Sequence, residues 1–479
     1  ASWSVILPRH NTFSSPRVAD LNGDGVRDVI LGTGKAEFEH ADTAVVALDG
    51  KTGRMLWHVP ARDQVFGSAA LHDVTGDGVP EVFISGRSAV LLAVNGRTGK
   101  VLWEYFPGKD RTQAYRIGLF NFYNPQVVPD QDGDGTDDLL VANGGDVRAL
   151  PHDPKRPAGY LMLVSARNGK PIARAPMPDG KEIYMSVVCD EPRPDGTIPV
   201  YYGTGGETLG GHLYRTTLRD VRQGDLSGSV PLASSPDKGF IAPPVLADIT
   251  GDGVRDVVAN AVDGRLLAVD GATHQTRWTV PVPGTEAYSA PAVGNFNGDA
   301  VPDFFVSFSV GVWPALHWSK QLMVDGRSGA VLYADSVGYR QSSSPVVADV
   351  NNDGYDDAIL SINYYVENEF AQKHFRSMLL VFDFRNRTSL DFGLSDEGVN
   401  YASTPWAGDL DGDGMLDLVH CSMADSTMRS SLKGLKINHL VTTIPVPEAP
   451  AWGAYMGSRY DGVLRRFHPP QSPRPQPTK

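Results

Sequence analysis

Carboxylates and amides recur along this chain at a spacing that suits a hard cation. The stretch DLNGDGVRD places Asp20, Asn22, Asp24 and Asp28 at positions 1, 3, 5 and 9 of a nonapeptide, with glycine at position 6. In such a loop those four side chains can converge, and the carbonyl of position 7 is free to join them. That is the oxygen-only donor set of a compressed EF-hand-like cage, which favours Ca²⁺ over the His- and Cys-seeking Zn²⁺. The pattern returns as Asp73, Thr75, Asp77 and Glu81, as Asp130, Asp132, Asp134 and Asp138, and as Asp248, Thr250, Asp252 and Asp256. Three further copies carry Asn295, Asn297, Asp299 and Asp303, then Asn351 between Asp349, Asp353 and Asp357, then Asp409, Asp411, Asp413 and Asp417.

A lone Asp-Gly nonapeptide is an ordinary turn as readily as a metal site. Seven copies at regular spacing are a pattern. They are graded: Thr75 and Thr250 offer neutral oxygens, and the copy at Asn295 starts with an amide and has Ala300 in place of glycine, so it is expected to bind weakest. Like charges crowded into a turn repel. Seven divalent ions would bring fourteen positive charges against the formal net charge of −13. Calcium, up to about seven ions, is therefore expected to stabilise the fold by mass action rather than to do chemistry.

The loops also count the elements that must hold them. Their first residues stand at 20, 73, 130, 248, 295, 349 and 409, steps of 47 to 60 residues apart from one of 118. The doubled step predicts a degraded copy near 190, and DEPRPDGTIPV lies there, with Asp190 and Asp195-Gly196 surviving. It is expected to bind nothing. Each unit adds a short strand before the loop, a β-branched strand after it, and a hairpin such as VVALDGKTGRMLW closing on Trp or Tyr. Four short strands per unit describe a propeller blade. The expectation is an all-β, eight-bladed propeller of four-stranded antiparallel blades, seven blades being the alternative, spanning residues 1–467. Residues 468–479, rich in proline, form an extended tail. Trp3 precedes Asp20 by the spacing at which Trp278 precedes Asn295, so WSVIL should be the outermost strand of the last blade, closing the ring. Either LKINHLVTTI or AWGAYMGSRYDGVLRRF can supply its partner. The best helix candidate is VENEFAQKHF at 366–375.

These loops, each followed by a β-branched strand, resemble FG-GAP (VCBS-type) repeats, the units of integrin α-chain propellers and of many secreted bacterial proteins. The LDGKTGRMLW and VNGRTGKVLW segments also resemble the tryptophan-docking hairpins of quinoprotein (PQQ-type) propellers. The resemblance implies that the acidic loop joins the first two strands of a blade and binds Ca²⁺. It implies no shared catalytic residue.

Acidity argues against nucleic acid or an anionic membrane surface as partner. No apolar run reaches the ~20 residues that span a bilayer. A start at ASWSVILP without Met reads as a processed product, so a secreted, periplasmic or cell-surface protein is expected. Cys189 and Cys421 fall in blades four and eight, too far apart for a disulfide. Length variation concentrates in the connections on the face away from the acidic loops. There Tyr115, Phe122, Tyr123, Trp313, His317, Trp318, Tyr364 and Tyr365 form a candidate binding face. His152, His212 and His374 share those loops without metal-ligand spacing, and GTGGETLGG does not follow the phosphate-loop pattern. The leading expectation is a calcium-stabilised module that binds protein or glycan. The alternatives are a polysaccharide lyase, a quinoprotein dehydrogenase, and a subunit of an extracellular filament or matrix.

Overall fold

A computed structural model describes residues 1–108, 110–340, 342–425 and 434–467. Eight antiparallel sheets follow one another along the chain. Blade 1 is typical. Its strands Arg17–Ala19, Asp28–Gly32, Ala41–Leu48 and Met55–Ala61 pair in sequence order, from the innermost outward. Blades 2 to 7 repeat this arrangement over 70–104, 121–176, 188–235, 245–281, 285–335 and 346–397, with the innermost strand split in two in the third and sixth. The second strands read DVILG, EVFIS or DLLVANG and are buried on both faces, as expected between neighbouring blades. Because strands alternate in direction, the acidic loops (first to second strand) and the Asp/Asn-Gly turns (third to fourth) share one face. The remaining connections share the other.

Blade 8 joins Trp406–Gly408, Met415–Met423 and Leu435–Pro445 to the N-terminal strand Trp3–Leu7, which pairs in the register Leu7 with Leu435 and Trp3 with His439. The ring is thus closed as the Trp3 spacing predicts, and LKINHLVTTI is the strand that receives it.

Tryptophans clasp four of the eight blades to the next. The indoles of Trp3, Trp57, Trp103 and Trp278 donate to the carbonyls of Gly50, Gly96, Ala166 and Gly326 at 2.7–2.8 Å, always in the following blade's turn. Each ring lies on a second glycine of that turn, Gly53, Gly99, Gly169 or Gly329, where an added Cβ would meet it at 2.6–2.7 Å. All four glycines also have positive φ, so both space and backbone demand glycine in the TG dipeptide or its equivalents. The outer strands of blades 3, 4, 6 and 7 carry no tryptophan, and on blade 3 the short helix Leu218–Gln223 packs against that strand instead.

The other C-terminal candidate, AWGAYMGSRYDGVLRRF, joins no blade sheet. Residues 451–467 run inside the ring and plug its axis. Val347 and Ala407, on the inner strands of blades 7 and 8, donate to the carbonyls of Trp452 and Gly453 at 2.9 and 2.7 Å. Leu246 of blade 5 exchanges bonds with Gly462 and Leu464, and Arg17 of blade 1 donates to the Tyr455 carbonyl at 2.9 Å. Trp452, Ala454, Met456, Val463 and Leu464 are buried there. Arg17 is also buried, its guanidinium 4.0 Å from the Tyr460 ring centroid, and burial lowers its pKa to about 10.

Residues 366–375 are not a helix. Strands Asp357–Glu367 and Lys373–Asp383 form a long hairpin that reverses through Asn368 and Gln372. Tyr365 faces Phe375 across it and both rings pack with neighbouring aromatics, a tertiary contact that a helix would forfeit. The tail at 468–479 lies outside the described residues.

Candidate functional site

Each acidic loop is built by its own side chains. The position-1 carboxylate accepts the amides of positions 4 and 6: Gly23 and Gly25 reach Asp20 at 2.7 and 3.0 Å, and Asp73, Asp130, Asp248 and Asp409 repeat the arrangement. The position-5 carboxylate accepts the amide of position 7, as Asp24 does from Val26 at 2.9 Å. The position-9 residues, Asp28, Glu81, Asp138, Asp256, Asp303, Asp357 and Asp417, are almost wholly buried. Asp28 takes the amides of Leu21 at 2.8 Å and Gly50 at 2.9 Å, tying the loop to its blade's second turn. These carboxylates therefore act first as keystones. Three carboxylates that could hold one ion lie together in two loops, at Asp130, Asp132 and Asp138 and at Asp409, Asp411 and Asp413. The loops with Asn or Thr at position 3 do not bring three together among the described residues.

Burial with like charges close by raises several of these groups. Asp28 and Asp138 are pushed up to about 6 and Asp303 to about 7, chiefly by desolvation. Asp357, buried beside Asp383, Asp349 and Asp353, is pushed up to about 8.

Blade 4 shows what replaces this arrangement. The strand register pairs Val188 with Tyr201 and Cys189 with Val200, as Val245 pairs with Val258 in blade 5. Position 1 is therefore Glu191, one residue later than the Asp190 expected from sequence, with Arg193 at position 3 and Pro199 at position 9. Cations come from the protein itself. Arg255 of the next loop pairs with Asp190 at 2.8 Å and Glu191 at 2.6 Å, and Arg465 of the plug pairs with Glu191 at 2.5 Å. Cys189 and Cys421 are unpaired, and burial pushes both thiols up to about 12.

The opposite face is made by long hairpins and by the connections that lead into the inner strands. Blade 6 extends Asp303–Val312 and Ala315–Val324 around Trp313 and Pro314, beside the blade 7 hairpin. Trp318, 53% exposed, packs 5.9 Å from Tyr365 and 6.0 Å from Tyr339, and Lys373 lies 4.2 Å over the Tyr365 ring. Trp313 and His317 are exposed near the hairpin tip, and Tyr364 is half-buried. The expected Trp318 and Tyr365 thus do meet. Tyr115, Phe122 and Tyr123 do not belong to this surface, which corrects the sequence expectation. Phe122 is fully buried against Tyr105, Tyr115 bonds Ser88 at 2.8 Å, and Tyr123 packs against Phe66. Their connection runs inward over the core, a direction that composition does not reveal. His212 pairs with Asp179 at 2.9 Å, and no cluster of histidines forms among the described residues.

A second feature of this face was not foreseen. Seven residues before each loop's first residue the eight connections place Phe13, Phe66, Tyr123, Tyr184, Ile241, Tyr288, Ser342 and Ala402. Five are aromatic. Phe66, Tyr123 and Tyr184 follow one another at 5.4 and 6.2 Å and pack with Tyr455 and Met456 of the plug. They form a collar around the axial mouth. Two residues earlier stand Asn11, Gln64, Asn121, Glu182, Gly239, Glu286, Arg340 and Asn400. Glu182, buried, is gripped by Arg156 at 2.9 and 3.0 Å, and the same guanidinium donates to Tyr184. Glu286, also buried, accepts from Tyr288 at 2.5 Å, Lys238 at 2.7 Å and the Trp313 amide at 3.0 Å. Aligning the connections on the loops, rather than reading each alone, is the signal that finds this collar.

No helix among the described residues is long and apolar enough to cross a membrane. Residues 3–185, the closing strand through blade 3 and into the next connection, match the FAM234A/B beta-propeller family model. Protein FAM234B of Mus musculus is 24% identical over 394 residues, covering 74% of this chain, and the chain spans only 57% of that relative. Protein FAM234A of Homo sapiens is 31% identical over 155 residues, covering 29% of this chain and 27% of its own length. Among solved structures, a quinohemoprotein alcohol dehydrogenase of Pseudomonas putida HK5 superposes with a TM-score of 0.59 at 11% identity, over 93% of this chain and 77% of that one. That likeness concerns the fold alone. Residues 3–185 are thus similar to the FAM234A/B β-propeller family, and the chain as a whole forms an eight-bladed ring.

Proposed function

We propose that this chain is an exported, calcium-stabilised propeller that binds a protein or glycan ligand through the face opposite its acidic loops. One observation carries the reading. Of the fifteen large apolar side chains exposed among the described residues, seven lie on outermost strands and eight on connections and hairpin ends of that face. The eight include Leu150 and Phe370, each 73% exposed, and Val312, Trp313 and Trp318 on the blade 6 hairpin. Aromatic and aliphatic side chains held out on a rigid ring are what recognition surfaces use. The calcium part rests on the recurrence of the acidic loops, which resemble FG-GAP repeats, and on blade 4, where the oxygen cage is lost and arginines enter together.

The test uses the chain against arrays of extracellular protein domains and of glycans, beside a variant carrying Trp313→Ser and Trp318→Ser. Saturable binding lost in the variant, with thermal stability retained, supports the reading. Equal binding by both proteins would exclude this face.

A further inference from the structure

The collar and its charges form a site distinct from the exposed hairpins. Glu182 and Glu286 are each held by a cation of the protein, Arg156 and Lys238. Glu207, on the connection between the second and third strands of blade 4, stands among the same groups. Its backbone carbonyl accepts from Lys238, and its carboxylate makes no ion pair among the described residues. Lys238 bonds Glu286 as well, and a Cβ on the adjacent Gly206 would lie 2.9 Å from the Tyr184 ring and 3.8 Å from Glu182 Oε1, so the Glu207 backbone sits beside the collar. Tyr123, 7% exposed, keeps its hydroxyl without a hydrogen bond, although Asn121 lies nearby. Phe66, Tyr184 and Tyr288 are half-buried, so their rings remain partly open.

Arg87, paired with Glu37, already lies 4.8 Å over the Phe66 ring, whereas Glu182, Glu207 and Glu286 face only Arg156 and Lys238 beside the half-open rings of Tyr184 and Tyr288, the composition of a cage for an organic cation. Resting on the reading that this face binds, we propose that the axial mouth receives an alkylammonium or guanidinium group, with Glu207 as its counter-ion and the rings of Tyr184 and Tyr288 as its walls. The plug closes the site from below through Tyr455 and Met456, so the ligand group enters only from the open side.

Calorimetric titration of the full chain with Nα-acetyl-lysine methylamide, and with a heptapeptide bearing one central lysine, tests this. The norleucine counterparts of both are the neutral controls. The lysine probes should bind at least ~10-fold more tightly than the norleucine ones, and Glu207→Gln should remove that difference. Tyr288→Ala should weaken the lysine probes, and Tyr288→Phe should leave them close to wild type. A peptide that binds more tightly than the free amide points to a cationic side chain on a protein partner, and equal binding points to a small amine. Equal affinity for lysine and norleucine probes, or an unchanged Glu207→Gln variant, overturns the proposal. If array binding still depends on Trp313 and Trp318 in that case, the broader reading stands and only the cation site falls.

Discussion

Removing the Trp452 side chain should open the axis of the ring. The indole is 2% exposed and lies on Gly457, where a Cβ would meet it at 3.0 Å. Burying about 200 Å² of indole at ~25 cal/mol per Å² is worth ~5 kcal/mol, and Trp→Ala replacements in cores cost about 3–5 kcal/mol. Taking about 4 kcal/mol for Trp452→Ala, opening of the plug becomes about a thousandfold more frequent, since each 1.4 kcal/mol is tenfold. The readout is local. The amides of Val347 and Ala407 are protected by the carbonyls of Trp452 and Gly453, so their hydrogen exchange reports opening directly. They should accelerate by two to three orders of magnitude, roughly as the free energy dictates, while Val82 in the buried second strand of blade 2 stays slow. Trp452→Phe should recover most of the protection. Acceleration below about tenfold would refute the role assigned to the indole, and equal acceleration at Val82 would mean that the whole ring, not the plug, is loosened.

Other expectations follow from the loops and buried charges. Chelating calcium should lower the melting temperature, each site saturated at 100 times its Kd being worth ~2.7 kcal/mol. In metal analysis, Asp130→Asn with Asp132→Asn should lose about one bound ion, and unchanged stoichiometry would sink the assignment of that loop. Arg255→Gln strands the Asp190 carboxylate, 5% exposed, and should cost about 3 kcal/mol in denaturant titration with or without calcium. Asp63 is buried beside Ser88 and Arg111, and desolvation raises its pKa above the usual carboxylate range. The native chain then holds that proton to higher pH than the unfolded chain, so this group's contribution to stability falls as pH rises from about 4 towards neutrality. Asp63→Asn should therefore gain stability at pH 7 relative to wild type and lose that advantage near pH 4, as read from urea midpoints.

Spacing made the ring legible. Seven loops and one doubled interval are enough to count eight blades, because each blade must restart the same strand–loop–strand geometry. Trp3 was readable for the same reason, being a clasp found without the rest of its blade. Blade 4 was misread by one residue because Asp190 is acidic where Ala247 is not, and only the strand register decides that Glu191 opens its loop. Residues 366–375, the end of the 357–383 hairpin, looked helical because that tip is polar and its aromatics gain their value from a neighbouring blade. The plug was invisible for a different reason. It carries no repeat, and its bonds go to inner strands of blades scattered along the chain. The collar lay in plain view but in connections whose lengths differ, so that only the loops supply a common origin.

Closure by the strand Trp3–Leu7 also sets an order in time. Ser4 bonds Asn438, 434 residues further on, so the first strand of the ring cannot take its place until every other blade has been made. Blades 1 to 3 can assemble from near neighbours, whereas the final pairing bears the cost of the longest chain loop in the ring. Pulse-labelled exchange during refolding should accordingly find the amides of Trp3–Leu7 protected after those of blade 2, and simultaneous protection would contradict this sequence of events. Until that moment the strand Leu435–Pro445 presents a bare edge, the interval in which such a ring is most open to pairing with a second copy of itself.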